Sequence, residues 1–337
     1  MMLRKAVVLA RPVGASALAE VANRPLLDHA LRWLAEGGVQ DVAILAPEEL
    51  GREMQVALRS QGGAGPDVSW LVHAPEQTPA ALLPALTDFL AGESFVLHHA
   101  DSLFRGDLAS VVGEPPRGER DALIVTGEKV ADRPDVVDIN SRPGGRGAWP
   151  TAGAPSWLAV LGAAVAEATA DAGCAAGEAL PRWVSEHGGR VTVRRVSDCW
   201  RCQETGAGLL EGNAFALGNL RTDLSGASLE DTRIEGSVAA EAGTELVSCV
   251  VRGPAMIGAG ARLRNSYVGP YTSIGRNAFI EGAEIEHSIV LPGAHLSHLG
   301  ERLEGSIVGR GARVYREFRI PKALRIFIGD GAEVSLS

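Results

Sequence analysis

The stretch 251-VRGPAMIGAGARLRNSYVGPYTSIG-275 decides the fold of the second half of this chain. Within it and just beyond, Ile257, Leu263, Val268, Ile274 and Ile280 recur at steps of six, five, six and six. Small residues fill the gaps, among them Gly258, Gly260, Gly269 and Gly275. A branched apolar residue once per six positions marks short strands that each return the same inward-facing site, which is a parallel β-helix of hexapeptide repeats. Three such strands make one triangular turn, and a step of five marks a corner. The pairs Val290 to Leu296 and Val308 to Val314 carry the pattern on, so the coil is expected over 234–337.

Working back toward the N-terminus, the period changes. An apolar strand, Ala6 to Ala10, precedes a helix in which Leu26, Leu27, Ala30, Leu31 and Leu34 fall at helical spacing before Gly37 and Gly38. Further strands are expected at 41–45, 68–72, 95–99, 121–130 and 190–196, with helices at 49–60, 78–91 and 160–188. Strands alternating with helices, several of them continuously apolar, predict a Rossmann-like, doubly wound, mostly parallel sheet. The expected organisation is an α/β domain over 1–204, a connecting helix and linker over 205–233, and the coil over 234–337.

Composition narrows the function. The 337 residues carry a formal net charge of −9, which gives no basic footprint for nucleic acid or anionic lipid. No apolar run has the length of a membrane span and no secretory leader is evident, so a cytoplasmic protein is expected. Only Lys5, Lys129 and Lys322 are lysines, which leaves few candidates for a catalytic amine. Four cysteines make no disulfide framework; Cys199 and Cys202 form a CxxC without a second pair at zinc-ligand spacing, so reduced thiols are expected.

Three stretches, 211-EGNAFALGNL-220, 252-RGPAMIGAGARLRNSYVGPYTSIG-275 and 320-IPKALRIFIGDGAEV-334, together with 21-VANRPLLDHALRWLAEGGVQDVAIL-45, carry a resemblance that runs nearly end to end. The chain resembles the long-form glucose-1-phosphate thymidylyltransferases, within the sugar-1-phosphate nucleotidyltransferase family. The resemblance implies a nucleotidyltransferase-type α/β domain with a left-handed parallel β-helix behind it. The family's reaction joins a nucleoside triphosphate to a sugar 1-phosphate and releases pyrophosphate, so catalysis is positioning plus neutralisation of charge.

Compared position by position, the resemblance is uneven. The family's loop after the first strand runs Gly-Gly-x-Gly-Thr-Arg-Leu and reaches a lysine several residues on. Here Arg11-Pro12-Val13-Gly14-Ala15-Ser16-Ala17-Leu18 follows the strand, with one glycine, no Thr-Arg pair and Ser16 at the lysine position. Pro12 lacks an N–H where the triphosphate cradle needs donors, which leaves Arg11 as a stand-in cation. The base-reading Gln and the Pro-x-Gly-x-Ala after it fall on His73, Glu76, Thr78 and Ala80. The Gly-Asp-Asn motif is 100-ADS-102, keeping Asp101, the position that implies Mg²⁺; Trp-x-Asp-Thr-Gly becomes Trp200 through 204-ETG-206, making Glu204 the second implied metal carboxylate. A sugar-contacting Glu maps to Glu178.

These positions define the candidate site. Asp101, His99, Glu178 and Glu204 are the candidate catalytic groups, and Arg11, His98 and Trp200 the candidate substrate-binding ones. Strand alternation sends His98 and His99 to opposite faces and puts His99 on the side of Asp101, either as a general base or as a buried His satisfied by a carboxylate. His287, His295 and His298 lie in the coil as surface or corner residues.

Three functions remain open: a repurposed member of the family that uses the old sugar pocket in sugar or natural-product biosynthesis, an active nucleotidyltransferase with a variant loop, or a non-catalytic scaffold or regulatory pseudoenzyme. The expected ligand is a sugar-phosphate-like molecule or a partner protein, with homo- or hetero-oligomerisation through the coil.

Overall fold

A computed structural model describes residues 3–10, 16–60, 66–74, 79–127, 136–138, 158–168, 184, 187–202 and 205–316. The chain divides into two compact units, one of Met1–Leu18 and Pro25–Arg201, the other of Ala19–Arg24 and Cys202–Ser337.

In the first unit, β1 (Lys5–Leu9) is followed by a hairpin, β2 (Glu20–Val21) and β3 (Arg24–Pro25), which through Arg24 is counted with the second unit. Then come α1 (Leu26–Glu36), β4 (Asp41–Pro47), α2 (Glu48–Ser60), β5 (Asp67–His73), α3 (Thr87–Leu90), β6 (Phe95–His99) and β7 (Ser102–Phe104). The unit continues with α4 (Leu108–Val112), β8 (Ala122–Thr126), β9 (Val136–Asp138), β10 (Leu158–Leu161), α5 (Ala163–Ala168), β11 (Val191–Arg195) and β12 (Cys199–Arg201).

Eight strands form one sheet in the order β5-β4-β1-β6-β10-β8-β11-β9. β5, β4, β1 and β6 run parallel, and β10 enters antiparallel between β6 and β8. The sheet is therefore mixed around a parallel half; that half is as the apolar strands predict, and the antiparallel entry of β10 and β9 is the departure from a mostly parallel sheet. Two apolar layers cover it. Val8, Val96 and Leu27 belong to one; Val7, Leu97 and Leu83 belong to the other, which is the period-2 alternation of a sheet buried on both faces.

Two local expectations need correction. The run beginning at Leu158 is a fully buried strand before it is a helix, because a short apolar segment fits either period and the gap between β6 and β8 selects the extended form. The helix expected over 78–91 is a 3₁₀ segment, Pro79–Leu86, that turns α-helical only at Thr87–Leu90; a proline in its middle, Pro84, disfavours an uninterrupted α-helix.

The second unit opens with α6 (Gly206–Leu217), whose Thr205 side chain accepts from the Gly208 N–H at 3.0 Å as its N-cap. Behind it three parallel sheets stack into the coil. One has six strands from Ala227–Glu230 to Arg313–Tyr315; the others have five each, from Arg233–Glu235 to Leu303–Glu304 and from Val238–Ala240 to Ile307–Val308. In-register neighbours Leu246 and Leu263, Val251 and Val268, and Ile257 and Ile274 stand seventeen apart, the sum of two six-residue sides and one of five. Their side chains line the coil with no exposure. The five-residue side ends at a corner where Asp231, Ser248, Asn265, Gly282 and His298 all hold left-handed backbone angles. His298 and His287 (φ 45°) are thus corner residues, and His295 stacks on Phe279 at 4.6 Å between centroids.

The hairpin turn is held from inside this unit. Ala22 and Asn23 both adopt positive φ, 46° and 61°, the pattern of a two-residue hairpin turn. Fully buried Asn213 accepts from the Ala22 N–H at 2.8 Å and from Ser273 Oγ at 2.9 Å, and donates to the Tyr271 carbonyl at 2.9 Å. Asn23 Nδ2 donates to the Ile274 carbonyl at 2.7 Å. Replacing Asn213 by Ala strands several buried polar groups at once. The expected outcome is a loss of about 2–3 kcal/mol, measured as a lower urea midpoint with an unchanged far-UV spectrum.

Candidate functional site

The C-terminal ends of β1, β4 and β6 bring Leu9, Pro47 and His99 to one rim of the parallel half-sheet. Open α/β sheets bind ligands beyond such an edge. Just past β6, the chain turns through Ala100 and Asp101 into β7, which pairs antiparallel with β12 in a separate two-stranded sheet. That pairing sets Arg201 opposite Ser102 and Trp200 opposite Leu103.

The consequence is an ion pair. Arg201 Nε donates to Asp101 Oδ2 at 3.2 Å, with the two side chains 10% and 9% exposed. Ser102 Oγ donates to the other carboxylate oxygen, Oδ1, at 3.3 Å. Both Asp101 oxygens therefore have donors from the chain itself.

This arrangement does not fit a Mg²⁺ site. A Mg²⁺ on Asp101 would lie beside a fixed guanidinium, and a dication about 4 Å from a unit positive charge is repelled by about 8 kcal/mol at an effective dielectric constant of about 20, which offsets its attraction to the carboxylate. Among the described residues no group of three or more His, Cys, Asp or Glu side chains converges to hold a metal ion. Glu204, the second implied metal carboxylate, lies outside the described residues, as do Arg11, Glu178 and Lys129. The structure thus places Asp101 as the ion-pair partner of Arg201.

His98 also departs from expectation. Alternation along β6 turns it away from the rim, to the apolar layer that holds Val96, where its ring meets Trp33 (centroids 5.6 Å) and, edge-on, Phe104 (5.6 Å). It is 1% exposed within that layer. Burial drives its pKa down to about 4, only partly opposed by a hydrogen bond to the His99 backbone. His99 occupies the opposite face of β6, half-buried at the rim. Trp200 is buried within its short strand.

Other reactive side chains among the described residues have structural partners. Lys5 lies at the other end of β1, where its ammonium donates to the Phe89 carbonyl at 2.7 Å and pairs with Glu93 at 3.1 Å. Burial, with the Asp198 charge adding to it, pushes the Cys199 thiol up to about 12, so it stays protonated. Cys199 is a free thiol. His73 is buried at the end of β5, with Nδ1 2.9 Å from the Ala74 carbonyl.

Arg201 is the site residue that sequence reading missed. The signal was its place directly after Trp200, but only the β7–β12 register reveals that this place faces Asp101.

No family model matches the chain. Individual relatives do. It is 28% identical to a glucose-1-phosphate thymidylyltransferase from Streptomyces griseus, over 99% of this chain and 99% of the relative. The same identity holds against a glucose-1-phosphate thymidylyltransferase from Streptomyces antibioticus, over 98% and 99%. The low-salt glycan biosynthesis nucleotidyltransferase Agl11 from Haloferax volcanii is 25% identical over 97% of this chain and 96% of its own length. The sequence resemblance to sugar-1-phosphate nucleotidyltransferases thus extends through both units.

Burial of His98 has a thermodynamic signature. Its unfolded pKa of 6.5 exceeds the folded value of about 4, so the unfolded chain takes up the proton first as pH falls. The stabilising contribution is complete above pH 6.5 and disappears toward pH 4, a span worth about 3 kcal/mol. Urea melts across this range should show that slope in the wild type and a flatter profile in His98→Phe.

Proposed function

We propose that this chain is a repurposed relative of the sugar-1-phosphate nucleotidyltransferases that binds a sugar phosphate in the cytoplasm without performing nucleotidyl transfer. The observation that carries this reading is the Asp101–Arg201 ion pair. The carboxylate that the family resemblance assigns to Mg²⁺ is already neutralised by a guanidinium of the same chain. The sequence after β1 points the same way, since Arg11-Pro12-Val13-Gly14 offers a triphosphate one glycine and a proline in place of a donor-rich cradle.

In this reading the chain's own groups bind and orient. Arg201 supplies fixed positive charge at the rim and Asp101 holds it there. His99 contributes an imidazole to the same edge. The setting is sugar or natural-product biosynthesis, with the chain acting as an atypical enzyme or as the partner of one and self-associating through the coil.

A second reading, an active nucleotidyltransferase with a variant loop, is favoured by the identity to two Streptomyces thymidylyltransferases over 98% or more of the chain. Pyrophosphate release separates the two. With Mg²⁺, the common nucleoside triphosphates and a panel of sugar 1-phosphates, we expect no turnover, and calorimetry should detect glucose 1-phosphate but no triphosphate. Turnover that Asp101→Asn reduces by about two orders of magnitude or more would establish the second reading instead.

A further inference from the structure

Arg201 is engaged on one side only. Its Nε faces Asp101, while Nη2 is buried and has no hydrogen-bond partner. Its side chain is 10% exposed, so solvent does not satisfy that nitrogen. A buried guanidinium N–H without an acceptor is costly, and native structures keep few such groups without a role.

Three further features identify the missing acceptor. The guanidinium sits just beyond the C-terminal end of β6, at the sheet edge where ligands bind. Its planar fork matches two oxygens of a phosphate, and Asp101 fixes the plane by gripping one edge. The same pair rejects a divalent cation, so positive charge for a phosphoryl group has to come from the protein.

We propose that Arg201 is the phosphate-binding group of this chain, with its Nη edge donating to the phosphoryl oxygens of a phosphorylated small molecule in place of a divalent metal. Asp101 is then a positioning residue: it orients the guanidinium and does not touch the ligand. The proposal rests on the sugar-phosphate reading for the identity of the ligand, but not for the chemistry of the contact. Any compact phosphate monoester meets the same donor edge.

The test is calorimetry of glucose 1-phosphate and of inorganic phosphate against the full-length protein, each in EDTA and in millimolar Mg²⁺. Arg201→Gln and Arg201→Lys are run alongside, with thermal melts to establish folding. Glucose 1-phosphate should bind with the same affinity, within about twofold, in EDTA and in Mg²⁺. Arg201→Gln should weaken it at least tenfold, and Arg201→Lys, which keeps the charge but not the fork, by an intermediate factor. Binding by the wild type that disappears in EDTA overturns the inference without recourse to any variant, as does unchanged affinity in a folded Arg201→Gln protein. Binding of inorganic phosphate through Arg201 without binding of glucose 1-phosphate supports the inference and overturns the sugar-phosphate reading. Silence toward both probes overturns both.

Discussion

The buried pairing of Asp101 with Arg201 constrains everything else at the rim of the sheet. Two charges removed from water are tolerated only when each satisfies the other, and removing one partner from such a pair typically costs about 3–5 kcal/mol. Here the short β7–β12 sheet delivers the guanidinium to the carboxylate. Asp101 is therefore committed by its neighbour before any ligand arrives. With Arg201 in place, the charge of this carboxylate is balanced within the chain.

Around that pair the histidines divide by face. His98 and His99 are adjacent, yet the pleat gives one to an aromatic layer with Trp33 and Phe104 and leaves the other at the rim. Burial without a compensating charge lowers the basicity of His98, which makes it a neutral packing group.

In the second unit, regularity and exception serve different ends. The aliphatic columns repeat because each strand can bury only one inward side chain per step, and stacking identical positions gives every turn the same interior. Asn213 is the exception, a fully buried amide that trades hydrogen bonds with Ala22, Ser273 and Tyr271. Through it the hairpin segment Ala19–Arg24, distant in sequence, becomes part of the compact unit formed by the coil.

Periodicity alone determined the coil, because its six-and-five steps are local and each strand pairs with the same position one turn away. It likewise determined the parallel half of the sheet, whose strands are apolar enough to read singly. The strand character of Leu158–Leu161 was not legible, since four apolar residues fit either period until the flanking strands choose. Nor was the fate of the site legible. Asp101 could be located by resemblance and the alternation of His98 and His99 by the pleat. The identity of Asp101's partner depends on a register between β7 and β12, segments about a hundred residues apart. Long-range register is set by the packing of the whole domain, so only the tertiary structure decided that an arginine would face this carboxylate.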